Sequence, residues 1–182
     1  MTVMTQPFAG TFVADADHSS FQFEVTHMLV SRYRASFEDV AATVVADEHG
    51  IRLEGQVQVA SISIRNPPQF REHVVNGADF FDVANHPQIT FRSIDVELAE
   101  DGSFSGAGEL TIKGITKPIT ASGSYRTPVE DPYGQLRAAI ELHATVDRRD
   151  WGLDWQASLP GGGDALGYDV RLSANIELIR QA

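Results

Sequence analysis

A chain of 182 residues with 42% hydrophobic and 21% charged residues is long enough for one domain with a full core, too short for two ordinary ones, and too apolar to be a disordered tail. Its formal charge of −11 argues against a nucleic-acid partner, because the mean surface field repels phosphate. The chain has no cysteine, which excludes disulfides, thiolate metal sites and cysteine nucleophiles and leaves packing to hold the fold.

Residues 1–9 read as a loose, disordered start without the basic and apolar stretches of a signal peptide, and no later segment approaches a membrane span, so the chain is expected in the cytoplasm. Thr11–Asp15 predicts a short strand, and Ala16–Ser19 a polar turn. Ser20–His27 alternates without a fault, with Phe21, Phe23, Val25 and His27 on one face and Gln22, Glu24 and Thr26 on the other. Met28–Arg34 reads as a link, followed by a strand over Phe37–Val45. Asp47-Glu48-His49-Gly50 is a hairpin turn signal leading into a long two-faced strand, Ile51–Ser61. Pro67 and Pro68 suit the first turn of a helix that runs to Val75 and stops at Gly77.

The stretch Asp79–Ser93 joins that helix to a sheet, turning at Asn85-His86-Pro87 and delivering a strand over Gln88–Leu98. Ser103–Ile112 and Ile115–Tyr125 follow as strands around the tight turn Lys113-Gly114. Beyond an irregular loop, Pro128–Gly134, the run Gln135–Asp147 places Leu136, Ala138, Ile140, Leu142, Ala144 and Val146 on one face. Arg148–Gly163 is a long connection, and Tyr168–Leu178 is the last strand.

Roughly eight strands with a single helix between the third and fourth predict an all-β domain over 10–182, an extended antiparallel eight-stranded barrel with a short helical insertion. A barrel of this size is either filled by side chains or holds one small ligand. Both readings fit the inward parities, where Ala138, Ala144, Ala174, Gly55 and Ser93 stand beside Phe21, Phe23, Phe91 and Ile140. A filled barrel would act only through its surface, as an interaction module.

None of the six histidines is spaced as a paired metal ligand, and no metal site is expected. His27 points inward, either as a core histidine bonded to a neighbour or as a polar contact in a cavity. No nucleophile elbow, phosphate-cradling loop or nucleotide fingerprint is present. An enzymatic reading would need His27 or His18 as acid-base with an aspartate orienting it. Both lysines, Lys113 and Lys117, fall in one turn: a positive point that meets a phosphate at a barrel mouth, or a soluble hairpin tip that discourages edge pairing.

Four segments resemble, in order, the signatures of the YceI-like family: Asp17–His27, Asp79-Phe80-Phe81-Asp82 with His86–Ser93, Gly108–Pro118, and Arg149-Asp150-Trp151-Gly152-Leu153. The resemblance implies a lipocalin-like barrel whose apolar cavity holds a polyisoprenoid, an isoprenoid quinone or a similar long-chain lipid. Homodimers are common in that family and no catalysis is established for it. Many relatives are periplasmic, a compartment not carried over here. The expected ligand-binding residues are Phe21, Phe23, Val25, His27, Ile89, Phe91, Leu110, Ile140, Leu142 and Trp151, with Lys113 and Lys117 as head-group contacts and no cofactor beyond the lipid. Arg65-Asn66-Pro67-Pro68 and the longer helix depart from the family pattern at one cavity mouth.

Overall fold

The computed structural model describes residues 7–182. Ten strands form one sheet: β1 (Gly10–Ala14), β2 (Ser20–His27), β3 (Ser31–Phe37), β4 (Val40–Asp47), β5 (Gly50–Gln58), β6 (Gln88–Leu98), β7 (Ser103–Ile112), β8 (Ile115–Glu130), β9 (Leu136–Asp147) and β10 (Leu166–Arg180). They make eight staves. β1 and β2 pair with successive lengths of β10, through Ala14↔Leu178 and Phe21↔Ala174. Beside them, β4 pairs with β1 and β3 with β2. Each of these two staves is broken once, by the 3-10 turn Ala16–His18 and by Glu38-Asp39. The β1–β10 pairing closes the ring, and β3 pairs as a strand on one side only, with β2.

The link expected at Met28–Arg34 is corrected: Ser31–Phe37 is a strand. Tyr33, Ala35 and Phe37 turn inward by alternation, while Arg32 and Arg34 face out and donate to Glu24 on β2, at 2.7 and 2.6 Å. The stave predicted over Ile51–Ser61 ends at Gln58, because Val59–Ser61 curls into a 3-10 turn. Strand β8 runs on to Glu130 through Pro128, which its register shift between Arg126 and Val129 accommodates. Helix α1 (Pro68–Asn76) lies between the third and fourth staves, with Pro at its start and Gly77 as its C-cap. Among the described residues no helix is long and apolar enough to cross a membrane.

One end of the barrel is solid. Phe8, Phe12, Val44, Ile140 and Leu178 are each at most 2% exposed. Phe8 packs edge-on against Phe12 at 5.5 Å and tilts against Tyr125 at 6.0 Å. The Tyr125 hydroxyl donates to the Ala99 carbonyl at 2.7 Å, which satisfies the polar tip of this plug. Of the start expected to be loose, residues 1–6 lie outside the described residues, and Phe8 belongs to the core.

Candidate functional site

The other end is hollow. β2 presents Phe21, Phe23, Val25 and His27 inward, and β3 faces them with Tyr33 and Phe37. With Ile89, Ile112, Val146, Val170 and Leu172 from the remaining wall they bound a cavity of about 480 Å³. Phe37 organises the aromatic wall, lying 6.0 Å from Phe21, 5.9 Å from Phe23 and 5.7 Å from Phe81. These are offset and edge-on contacts of the kind aromatic rings favour.

The insertion between β5 and β6 roofs this end. Residues 77–83 fold back on α1 through Phe81 N–H to Val74 and Val83 N–H to Val75, at 3.2 and 2.9 Å. That places Phe80 and Phe81 over the cavity beside Val74 and Phe70 of α1. Trp155, from the connection between β9 and β10, stacks on Phe80 at 5.6 Å and completes the roof. Asn66, Pro67 and Phe70 are at once exposed and part of the lining. The cavity therefore opens between the first turn of α1 and the β2–β3 hairpin.

A smaller void of about 100 Å³ lies deeper, bounded by Leu53, Val57, Phe91, Leu110, Leu142 and Ile176 among others. Phe21, Ile89 and Leu172 line both spaces and form the partition between them. Below the void begins the plug.

Of the expected contacts, Phe21, Phe23, Val25, His27 and Ile89 thus line the larger cavity, and Phe91, Leu110 and Leu142 the smaller. Ile140 is corrected: its inward parity holds, but its height along β9 places it in the plug, 2% exposed. Trp151 is corrected as well. It is 1% exposed, and its indole N–H donates to the Leu110 carbonyl at 3.2 Å, so it pins the 3-10 turn Arg148–Trp151 to the wall outside both spaces. Lys113, expected at the head group, lines neither space, and its ammonium is held by the carbonyls of Ala78 and Gly152, at 2.6 and 2.8 Å. That lysine ties the roof to the barrel. Lys117 is exposed and lines neither space.

The polar groups of the cavity wall include His27, Tyr33 and Arg148, with Asn66 at the mouth. Arg148 is 4% exposed and donates to three backbone carbonyls: Gly167 at 2.8 Å, Leu166 at 3.3 Å, and Leu153. Among the described residues no carboxylate lies within ion-pair distance of it. Burial pushes its pKa down, yet a guanidinium keeps its charge under ordinary conditions. Leu166, whose carbonyl Arg148 contacts, pairs with His27 across the β10–β2 ladder, so both polar groups belong to the same end of the cavity wall.

Sequence reasoning missed Tyr33, Phe37, Phe81, Arg148 and Trp155. Tyr33 and Phe37 had a signal, since the alternation continues through Ser31–Phe37. Arg148 and Trp155 had none, because their positions depend on how a long connection folds over the barrel end.

Outside the lumen, His18 lies 3.0 Å from Asp15, the arrangement an acid-base pair requires. It faces solvent on the barrel exterior. His18, Asp15 and Glu177 are close enough to share an ion, but the Arg137 guanidinium already bridges both carboxylates, at 2.8 and 2.7 Å. That positive charge occupies the place a cation would take.

A barrel closed by hydrogen bonds, packed at one end and hollow and aromatic at the other, defines a lipocalin-like barrel. The YceI-like domain matches residues 12–178, and the chain belongs to that family. It is 28% identical over 168 residues to UPF0312 protein SAS2572 of Staphylococcus aureus (strain MSSA476), covering 91% of this chain and 95% of that one. The crystal structure of Burkholderia cenocepacia BcnA is similar in fold, with a TM-score of 0.73 at 18% identity over 90% of this chain and 98% of that one. So is a polyisoprenoid binding domain from Saccharophagus degradans implicated in plant cell wall breakdown, with a TM-score of 0.67 at 11% identity over 93% and 98% of the two chains.

Proposed function

We propose that this protein binds a polyisoprenoid or similar apolar lipid in the hollow end of its barrel, as a carrier or store that leaves the lipid chemically unchanged. The observation that carries this reading is the aromatic cavity of about 480 Å³ open to solvent beside Phe70. Its volume lies within the range of small-ligand sites. At about 30 Å³ for each carbon with its hydrogens, the share a water molecule takes in the liquid, it accommodates roughly sixteen carbons, or about three isoprene units. The printed description of the Saccharophagus degradans domain as polyisoprenoid binding points to the same ligand class.

The tail lies among Phe21, Phe23, Phe37 and Ile89, and an acceptor-bearing end group stays at the mouth beside Arg148 and His27. An acceptor there supplies the buried guanidinium with a partner beyond its backbone carbonyls. Binding without conversion accords with the surroundings of His27, which has no carboxylate at hydrogen-bond distance among the described residues.

Phe23→Arg tests the site. It places an unpaired cation in the aromatic wall, and uptake of a fifteen-carbon prenol is expected to be lost while the β-type circular dichroism spectrum persists. Undiminished uptake by the folded variant would refute this assignment of the cavity.

A further inference from the structure

At the open end of the barrel the β2–β3 hairpin projects Met28, Leu29 and Val30, which are 39%, 64% and 84% exposed. The turn is tight, with the Val30 N–H bonded to the His27 carbonyl at 3.1 Å. Met28 and Leu29 sit at its centre with φ of 54° and 60°. Two positive φ values in succession favour Asn-Gly, because a side chain crowds the backbone there. Large aliphatic residues at these positions work against the turn and serve what lies outside it.

The tip is braced from behind. Met28 N–H donates to the Ala165 carbonyl at 2.6 Å. Leu29 lies against Gly163, where a Cβ would come within 2.9 Å of its Cδ1. Through His27, Tyr33 and Phe70, the last 38% exposed and edge-on to Tyr33 at 6.2 Å, the exposed aliphatic set is continuous with the cavity mouth.

On the β3 flank of the tip the charges depart from the acidic average of the chain, whereas the β10 flank carries Asp164 and Asp169. Residues 28–37 contain Arg32 and Arg34 and no acid. Arg32, Arg34 and Arg171 share the single carboxylate of Glu24, at 2.7, 2.6 and 3.6 Å. That group carries a formal surplus of positive charge on a molecule of net charge −11. It lies on the outer face a few residues below the tip.

We infer that the β2–β3 tip docks on a phospholipid bilayer. Met28, Leu29 and Val30 enter the headgroup–acyl boundary, and Arg32, Arg34 and Arg171 lie at the level of the phosphates. Docking sets the cavity mouth against the membrane from which the cargo is drawn, a purpose that rests on the lipid-binding reading above. Three side chains fall far short of the roughly 800 Å² per partner that a stable protein interface needs. They match the shallow, reversible insertion of a peripheral protein.

The test uses the full chain and vesicles of phosphatidylcholine with phosphatidylglycerol, free of prenyl lipid. Wild type is expected to float with the vesicles. Val30→Asp should lower its partitioning at least tenfold, and Ile94→Asp, at a 65% exposed position on β6, should leave it unchanged. The double variant Met28→Asn with Leu29→Gly suits the turn, so its melting temperature should rise while its flotation falls. It separates docking from folding. Loading of a prenol from vesicles should slow at least tenfold in both tip variants, whereas loading from detergent should not change. Failure of wild type to float, or flotation of the tip variants like wild type, would overturn the inference. Loss of a dimer in light scattering with flotation unchanged would instead make the tip a contact between two copies, and overturn it equally. Failure of wild type to load from either source would count against the lipid-binding reading alone, since flotation of the empty protein decides docking.

Discussion

Replacing Val25 by tryptophan should shorten the lipid the barrel can hold. Val25 is 5% exposed on β2 and lines the larger cavity, so the added ring atoms fill room for about one isoprene unit. Burying one unit contributes roughly 3 to 4 kcal/mol at about 0.8 kcal/mol per CH₂. Ordering costs of about 1 to 1.5 kcal/mol reduce this to a net of about 2 kcal/mol, or roughly 30-fold in Kd. Across prenols of five, ten, fifteen and twenty carbons, wild-type affinity should rise about 30-fold per unit and level off near fifteen carbons, as the volume dictates. Val25→Trp should level off one unit earlier and bind the fifteen-carbon prenol roughly 30-fold more weakly than wild type, with the shortest prenol unaffected. Isothermal titration or displacement of a fluorescent fatty probe reads both plateaus. A wild-type affinity that climbs unbroken beyond twenty carbons, or a plateau that Val25→Trp leaves in place, would refute the capacity assigned to this cavity.

Lys113→Met removes two charge-assisted hydrogen bonds between roof and barrel and should cost about 2 kcal/mol in urea unfolding. Its prenol affinity should stay at the wild-type value, and weakened binding at unchanged stability would restore the head-group role. The Asp15 cluster sets a pH dependence. Hydrogen bonds from Arg137 and His18 hold the Asp15 carboxyl down at about 2 against an ordinary 3.8. Its stabilising contribution is therefore complete above pH 3.8 and is lost as pH falls through 2. His18, bonded to Asp15, has its pKa raised above 6.5, so its contribution is present below pH 6.5 and is lost as pH rises through the folded value. Asp15→Asn should flatten both limbs of the melting temperature against pH, and a profile identical to wild type would contradict the pairing.

Much of the architecture was legible because strand periodicity is local. The alternation over Ser20–His27 and the strands Gln88–Leu98 and Ser103–Ile112 end where the sequence places them. The count of eight staves also holds, although ten hydrogen-bonded strands build them. What parity cannot give is height along the barrel. Phe23 and Ile140 both point inward, yet one meets the cavity and the other a plug built by Phe8, Phe12 and Leu178 from distant parts of the chain. Lys113 misled for a related reason. A lysine at a hairpin tip reads as solvated, but its partners Ala78 and Gly152 lie 35 and 39 residues away in sequence. Arg148 was passed over as part of a connection, because its burial follows only from the return of Leu153, Leu166 and Gly167 around it.

Native mass spectrometry of the protein purified from its host without detergent, followed by organic extraction, addresses the central claim most directly. The account predicts a species heavier than the bare chain by the mass of one apolar lipid, with a prenyl-type compound recovered in the extract. A population at the bare mass alone, unmoved by titration with prenols of ten to twenty carbons, would contradict it.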